Sequence, residues 1–319
     1  MCLGNLVADL VGRPIDALPL KGTQGLVERM ELHTGGCAAN TGIALTKLGA
    51  RSAVVGKVGR DGLGDFVVNR LRDSGCDTAG ISRDELVPTS STMVLVHSDG
   101  ERSFLHCFGA NATLSLADID MGRLFDTKIL HIAGALTLNA IDGEPTAQIL
   151  REAKSRGIVT SLDVVWDAQG EWLSKIESCL HYVDYFLPNL SEAMMLAVGR
   201  EDANSAARFF LDKGVGTVCI KMGDRGSLAM TQSANGEVKT ILTPAYSVEA
   251  IDGLGAGDSF NAGFFVGLLK NWSLEKSLEF ASAAGACCVS SLGATTGVRS
   301  FDETIEFMTS SPLRKPQRA

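Results

Sequence analysis

No apolar run in this chain reaches the roughly 18 residues that a membrane-crossing helix needs. Its first residues also lack the basic stretch followed by an apolar one that marks a secretory signal. A cytoplasmic location with no membrane partner is the expectation. Basic residues are in the minority, 29 Lys and Arg against 37 Asp and Glu, for a net charge of −8. No basic patch is available to follow a phosphodiester backbone, which argues against nucleic acid as a partner. The eight cysteines form no C-x-x-C pair and the five histidines stand alone. A fixed zinc site and a disulfide framework are therefore both disfavoured, and buried reduced thiols are expected. There is no G-K-[ST] triplet, which excludes a Walker A phosphate loop. The opening Leu3-Gly4-Asn5 lacks the G-x-G-x-x-G of a dinucleotide oxidoreductase. Internal repeats, low-complexity tracts and interdomain linkers are missing too.

What is abundant is glycine, 35 residues of 319, in a chain that is 45% hydrophobic. That length supports one large α/β domain with a small appendage. The most informative stretch is Glu249 to Lys270, EAIDGLGAGDSFNAGFFVGLLK, where a glycine-rich turn feeds an apolar helix. Gly253, Gly255 and Gly257 permit backbone angles that a Cβ forbids. A helix starting near Ala256 leaves free N–H groups in its first turn and favours negative charge there. Asp258 lies inside this anion site and would repel a phosphate unless it had a task. Accepting the proton of an attacking hydroxyl is such a task, with the N–H groups of Gly255, Ala256 and Gly257 stabilising charge on a transferring phosphoryl group. The competing reading is a helix cap, which Asp makes well.

DGLGAGDSFNAGFF resembles the C-terminal signature of the PfkB-type, ribokinase-like carbohydrate kinases. GGCAANTGIALTKLGARSAVVGKVGRDGLGD, from Gly35, resembles their N-terminal signature almost end to end, and the resemblance runs from Leu3 to about Phe307. It implies a three-layer α/β/α sandwich with a mostly parallel central sheet and a small β lid. The expected division is a core over 1–11, 35–88 and 110–309, a lid over 12–34 and 89–109, and a disordered tail over 310–319. Alternating strand and helix patterns between Lys128 and Leu187, including a helix near Gly170 to Ser178, agree with a parallel sheet. Asp99-Gly100, between Ser91–Val96 and Arg102–Phe108, is a hairpin turn signal of the lid.

Site residues follow position by position. Asp9, expected just past a first strand over Met1–Val7, is a solvated turn residue on its own pattern, but in the family binds substrate hydroxyls. Gly35 and Gly36 bring backbone to the sugar, Asn40 offers a donor and an acceptor, and Asn111 is a further polar contact. Cys37 stands where many relatives have Lys, which weakens the case for a phosphorylated substrate. The Asn and Arg that follow the aspartate matching Asp163 in some relatives are missing here. Asn189 and Glu192 form a capping box by spacing, and the resemblance adds a role in organising Mg²⁺ and its waters. Lys221, Gly223, Asp224 and Gly226 match the nucleotide-phosphate loop, and Ser282 lies on the helix that covers adenine. Asp252, Leu254, Cys288, Ser291, Gly293 and Gly297 match positions that hold a monovalent cation, K⁺, largely through carbonyl oxygens. The function implied is an ATP-dependent kinase acting on a primary hydroxyl of a small neutral sugar, with a homodimer through the lid. A nucleoside kinase with a base floor from Phe104 or Phe108, and a non-catalytic sugar- or nucleotide-binding regulator, remain as alternatives.

Overall fold

The computed structural model describes residues 1–233 and 235–314. In chain order the strands are β1 (Cys2–Gly4), β2 (Val7–Arg13), β3 (Arg29–Gly35), β4 (Ala53–Gly59), β5 (Asp77–Asp84), β6 (Ser91–Val96) and β7 (Arg102–Cys107). They continue with β8 (Ile129–Ala135), β9 (Val159–Val164), β10 (Tyr185–Phe186), β11 (Thr217–Lys221), β12 (Ser227–Gln232) and β13 (Val238–Thr243). Among the described residues they make a nine-stranded sheet in the order β13-β12-β11-β10-β9-β8-β1-β4-β5 and a four-stranded sheet in the order β3-β2-β6-β7. From β11 through β5 the large sheet is parallel, and only the β11-β12-β13 edge is antiparallel. Parallel strands must be covered on both faces. Accordingly β8 is buried at every position, and two apolar clusters line the sheet.

The helix Ala256–Leu269 is buried nearly all round and packs on the helix Leu274–Val289. Gly263 and Gly267 permit the approach, because a Cβ at Gly263 would press on the Ala281 backbone and one at Gly267 would overlap Ser277. Phe264 is fully buried and meets Tyr185 edge to face with ring centroids 5.2 Å apart.

Several sequence expectations shift. The first strand does not run to Val7: β1 stops at Gly4 and the chain crosses to the small sheet at Asn5-Leu6, so Asp9 lies within β2. The crossing is clamped by Asn111, whose Oδ1 accepts from Leu6 N and whose Nδ2 donates to Leu6 O, both at 3.0 Å. The lid strands accordingly begin at Val7 and include Thr34 and Gly35. Gly170 to Ser178 holds a 3₁₀ turn, Trp172–Lys175, and the start of a short helix, Glu177–Leu180, in place of one helix. Residues 310–314, expected in a disordered tail, are pinned to the core. Leu313 bridges Tyr246, Arg314 N donates to Ala245 O, and the Arg314 guanidinium lies 3.2 Å from Asp224. The remainder of that tail, 315–319, is outside the described residues. No described helix is long and apolar enough to cross a membrane.

Removing the Phe264 ring should cost about 3–5 kcal/mol, the usual range for a buried aromatic replaced by alanine. A urea titration of Phe264→Ala is expected to show a lower midpoint at unchanged slope.

Candidate active site

The turn before the helix Ala256–Leu269 is set by Gly255, which caps it in the left-handed region at φ 71° without a side-chain cap. A Cβ there would overlap the Ala294 carbonyl, so only glycine lets the loop 292–297 seat against the turn. Gly255, Ala256 and Gly257 line a cleft of about 410 Å³, with no side chain capping the turn and Ala256 N at 3.5 Å from the Gly253 carbonyl. Asp258, one turn in, is 8% exposed. Its Oδ2 accepts from Asn40 Nδ2 at 2.9 Å. Burial first, and Asp163 next, push its carboxyl up to about 6. Gly255 holds the cap position and no side-chain cap bond forms, so Asp258 is not the cap.

Asn40 presents more than that one bond. Its Oδ1 is buried with no partner, a free acceptor beside Asp258. Asn40 projects from the helix Cys37–Lys47, whose cap Gly36 has φ 90° and could not carry a Cβ without overlapping the Asn5 carbonyl. Asn5 Oδ1 accepts from Cys37 N at 2.7 Å and fixes that start. Gly35 is equally constrained, since a Cβ would overlap the Asp9 carboxylate. Asp9 itself, its carboxyl raised by burial and opposed by the Thr92 hydroxyl and His33, lines a second pocket of about 280 Å³ between lid and core. Leu254 lines that pocket and the adjacent Gly255 lines the first, so the glycine turn borders both, while Gly35, Gly36 and Asn40 line neither.

A charge cluster floors the larger cleft. Lys221 Nζ is 3.3 Å from both Asp163 oxygens and from Asn261 Oδ1, while Asn261 Nδ2 donates to Asp163 Oδ2 at 2.6 Å. Burial pulls the Lys221 ammonium down, but Asp163, Glu192 and Asp258 outweigh it and hold it above its ordinary value. Glu192, pushed up by burial and by Asp163, closes the capping box with Asn189: Glu192 N donates to Asn189 Oδ1 and Asn189 N to Glu192 Oε2. The box is real, and both residues also line the cleft. Gly223, Asp224, Gly226 and Ser282 line the cleft as well.

Not every expected residue converges. The Asn111 carboxamide is 1% exposed and engaged at both ends with Leu6, so it braces the chain crossing rather than reaching substrate. In the loop matched to a monovalent-cation site the one carboxylate is already engaged at both oxygens. Asp252 Oδ1 accepts from Leu254 N and from Arg102 Nη1, each at 2.7 Å, and Oδ2 from Gly293 N at 2.8 Å. The Cys288 thiol points at the Ala294 and Leu254 carbonyls, 3.2 and 3.5 Å away. Gly297 packs against the Cys287 and Cys288 carbonyls, and Ser291 N donates back to Cys288 O. These residues do not fit a free cation as they stand. Sequence reasoning missed Asp163 as the partner of Lys221, and it missed Asn261, Arg102 and Lys47. Asn261 had one available signal, its place three residues after Asp258 on the same helical face.

Comparison with known proteins agrees with this geometry. The sequence model of the pfkB family carbohydrate kinases matches residues 1–300. A ribokinase of Haemophilus influenzae is 29% identical over 313 residues, covering 96% of this chain and 97% of that protein. Arabidopsis thaliana ribokinase, solved with ribose and ATP, superposes with a TM-score of 0.82 at 25% identity, covering 96% of this chain and 97% of the other. A putative ribokinase II from E. coli, solved with ATP and Mg²⁺, gives 0.81 at 26% identity and covers 97% and 98%. The chain belongs to the pfkB family of carbohydrate kinases. It is a carbohydrate kinase, a phosphotransferase with an alcohol group as acceptor.

The raised Asp258 carboxyl has a stability consequence. Its folded value lies above the ordinary 3.8, so the folded state binds the proton more tightly and loses stability as pH rises from 3.8 to about 6. Asp258→Asn escapes that loss. It should melt above the parent protein at pH 8, by at most about 3 kcal/mol, and the gap should close at acid pH, as calorimetry at both pH values would show.

Proposed function

We propose that the protein transfers the γ-phosphoryl group of ATP to a primary hydroxyl of a small neutral sugar, ribose- or fructose-like, with Asp258 as general base. The observation that carries this reading is a buried carboxylate with a raised affinity for protons, set where a helix N-terminus without a side-chain cap lines the larger cleft. The sugar sits under the lid, held by Asp9, the backbone at Gly35 and Gly36, and the free acceptor of Asn40. Its hydroxyl gives up its proton to Asp258 as the bond to phosphorus forms. The N–H groups of Gly255, Ala256 and Gly257 meet the negative charge on the transferring group, a kind of contact worth ~2.7–4 kcal/mol per donor in other enzymes. Lys221 supplies positive charge beside them: a Cβ on Gly257 would lie 3.3 Å from its Nζ, so glycine keeps that approach open. The nucleotide lies along Gly223, Asp224 and Gly226, with its base near Ser282.

Asn189 and Glu192 are the residues that would organise Mg²⁺ through its waters. Mg²⁺ retains several waters and needs few protein oxygens, which suits a cleft where no described cluster of three or more acidic, His or Cys ligands forms. The ion neutralises charge between the phosphate groups when bound. Cys37, half-buried and with its thiol pushed well up by desolvation, brings no positive charge to the hydroxyl end, in keeping with an uncharged substrate.

A nucleoside would need a flat apolar floor. The pocket under the lid sets Asp9, Arg13, Glu31, His33 and Arg102 beside Val11, Val94, Val96, Ile251 and Leu254, with no Phe, Tyr or Trp among its lining residues to stack on a base, and Phe104 is 53% exposed. A purely regulatory binder would have no use for a buried base. The lid also supports self-association: Leu32, Leu10, Met93 and Leu105 pair in register across all four strands, and Leu32, Met93 and Leu105 are exposed. Such a row is covered economically by a second copy.

Asp258→Asn should bind ATP as the parent does yet lose about 10²- to 10⁴-fold in turnover. Near-normal turnover would remove Asp258 as base. In the parent, kcat/KM for ribose or fructose should climb through pH about 6 as the base ionises, then level off. Light scattering of Met93→Glu should report a monomer where the parent is a dimer.

A further inference from the structure

The lid reaches the phosphoryl-transfer machinery through one side chain. Arg102 opens β7, the outer strand of the lid sheet, yet its guanidinium lies 2.7 Å from the carboxylate of Asp252, a core residue only 5% exposed. Asp252 is the joint of the turn: its Oδ1 holds Leu254 N, immediately before the Gly255 cap, and its Oδ2 holds Gly293 N. Ala294, the next residue, sits so close to Gly255 that a Cβ there would overlap its carbonyl. From the other side Lys47 Nζ donates to the Thr295 carbonyl at 2.8 Å and stands 3.4 Å from those of Thr296 and Val298. Arg102 thus pairs with the one carboxylate of the set where the family resemblance calls for a monovalent ion, while Lys47 holds neighbouring carbonyls of the same loop. Adding such an ion beside a guanidinium already paired to Asp252 would set like charges together in a desolvated place.

We infer that Arg102 is a positioning residue that replaces a monovalent cation: acting through Asp252, it orders the Gly255–Gly257 turn when the lid is closed, and the protein works without K⁺. Closure of the lid and completion of the anion site are then one event. This inference rests on the kinase reading, and the experiment separates the two.

Initial rates with ribose or fructose and MgATP are measured in KCl and in tetramethylammonium chloride at equal ionic strength for the parent, Arg102→Gln and Arg102→Lys. Melting temperatures of the same proteins are taken in both salts without substrate. The parent should show the same rates and the same melting temperature in either salt. Arg102→Gln should lose about 10- to 100-fold in kcat, the usual cost of removing a residue that supports a site from behind. It should also acquire a response to K⁺, in rate and in melting temperature, that the parent lacks. Arg102→Lys should recover much of the loss without K⁺. Strong K⁺ activation or K⁺-dependent stabilisation of the parent overturns the inference, as does full, salt-indifferent activity of Arg102→Gln. If the parent phosphorylates no polyol, the kinase reading fails, and the melting comparison alone still decides whether the arginine stands in for an ion.

Discussion

A single carboxylate kept out of water organises this molecule. Asp258 carries its charge at the mouth of a helix whose dipole welcomes anions, yet burial makes that charge costly. The fold resolves the conflict by surrounding it with groups that each do two things. Asn40 donates to it while keeping its own oxygen free, and Lys221 balances it while being balanced by Asp163 and Asn261. Removing any one of these would leave another buried polar group without its partner, which is why the cluster is assembled from four separate segments of chain rather than one loop.

The two sheets divide the labour. The parallel sheet brings the ends of β9 and β11 to the larger cleft, as open α/β sheets do at their carboxyl ends. The small sheet hangs from it by the Asn5-Leu6 crossing, which is bracketed by the Asn111 carboxamide and by the bond from Cys37 N to Asn5. The same few residues therefore set the angle of the lid and the start of the helix carrying Asn40.

Much of this was legible in the chain itself because its signals are local. The glycine turn and apolar helix announce Asp258, the Asp99-Gly100 turn announces the lid hairpin, and the Asn189-Glu192 spacing announces a cap that is present. What escaped is long-range. Asp163 meets Lys221 from 58 positions away and Asn261 from 98, and such pairings leave no periodic trace. Asn111 was misjudged for the same reason, since its partner Leu6 is 105 positions distant. Asp9 was placed one element too early because a run of apolar residues does not say where a strand leaves one sheet for another. Arg102 looks like any solvated charge beside a hairpin turn until the fold lays it on Asp252.

The contact between Gly255 and the Ala294 carbonyl leaves no room for even a methyl group. Drift in the sequence is thereby blocked at the reacting end, whereas Val11, Arg13, Glu31 and His33 look into the smaller pocket from strands with one face toward solvent. New substrate preferences can arise by changing those lid positions while the chemistry is inherited unaltered, so divergence within such a scaffold is channelled to the four outer strands.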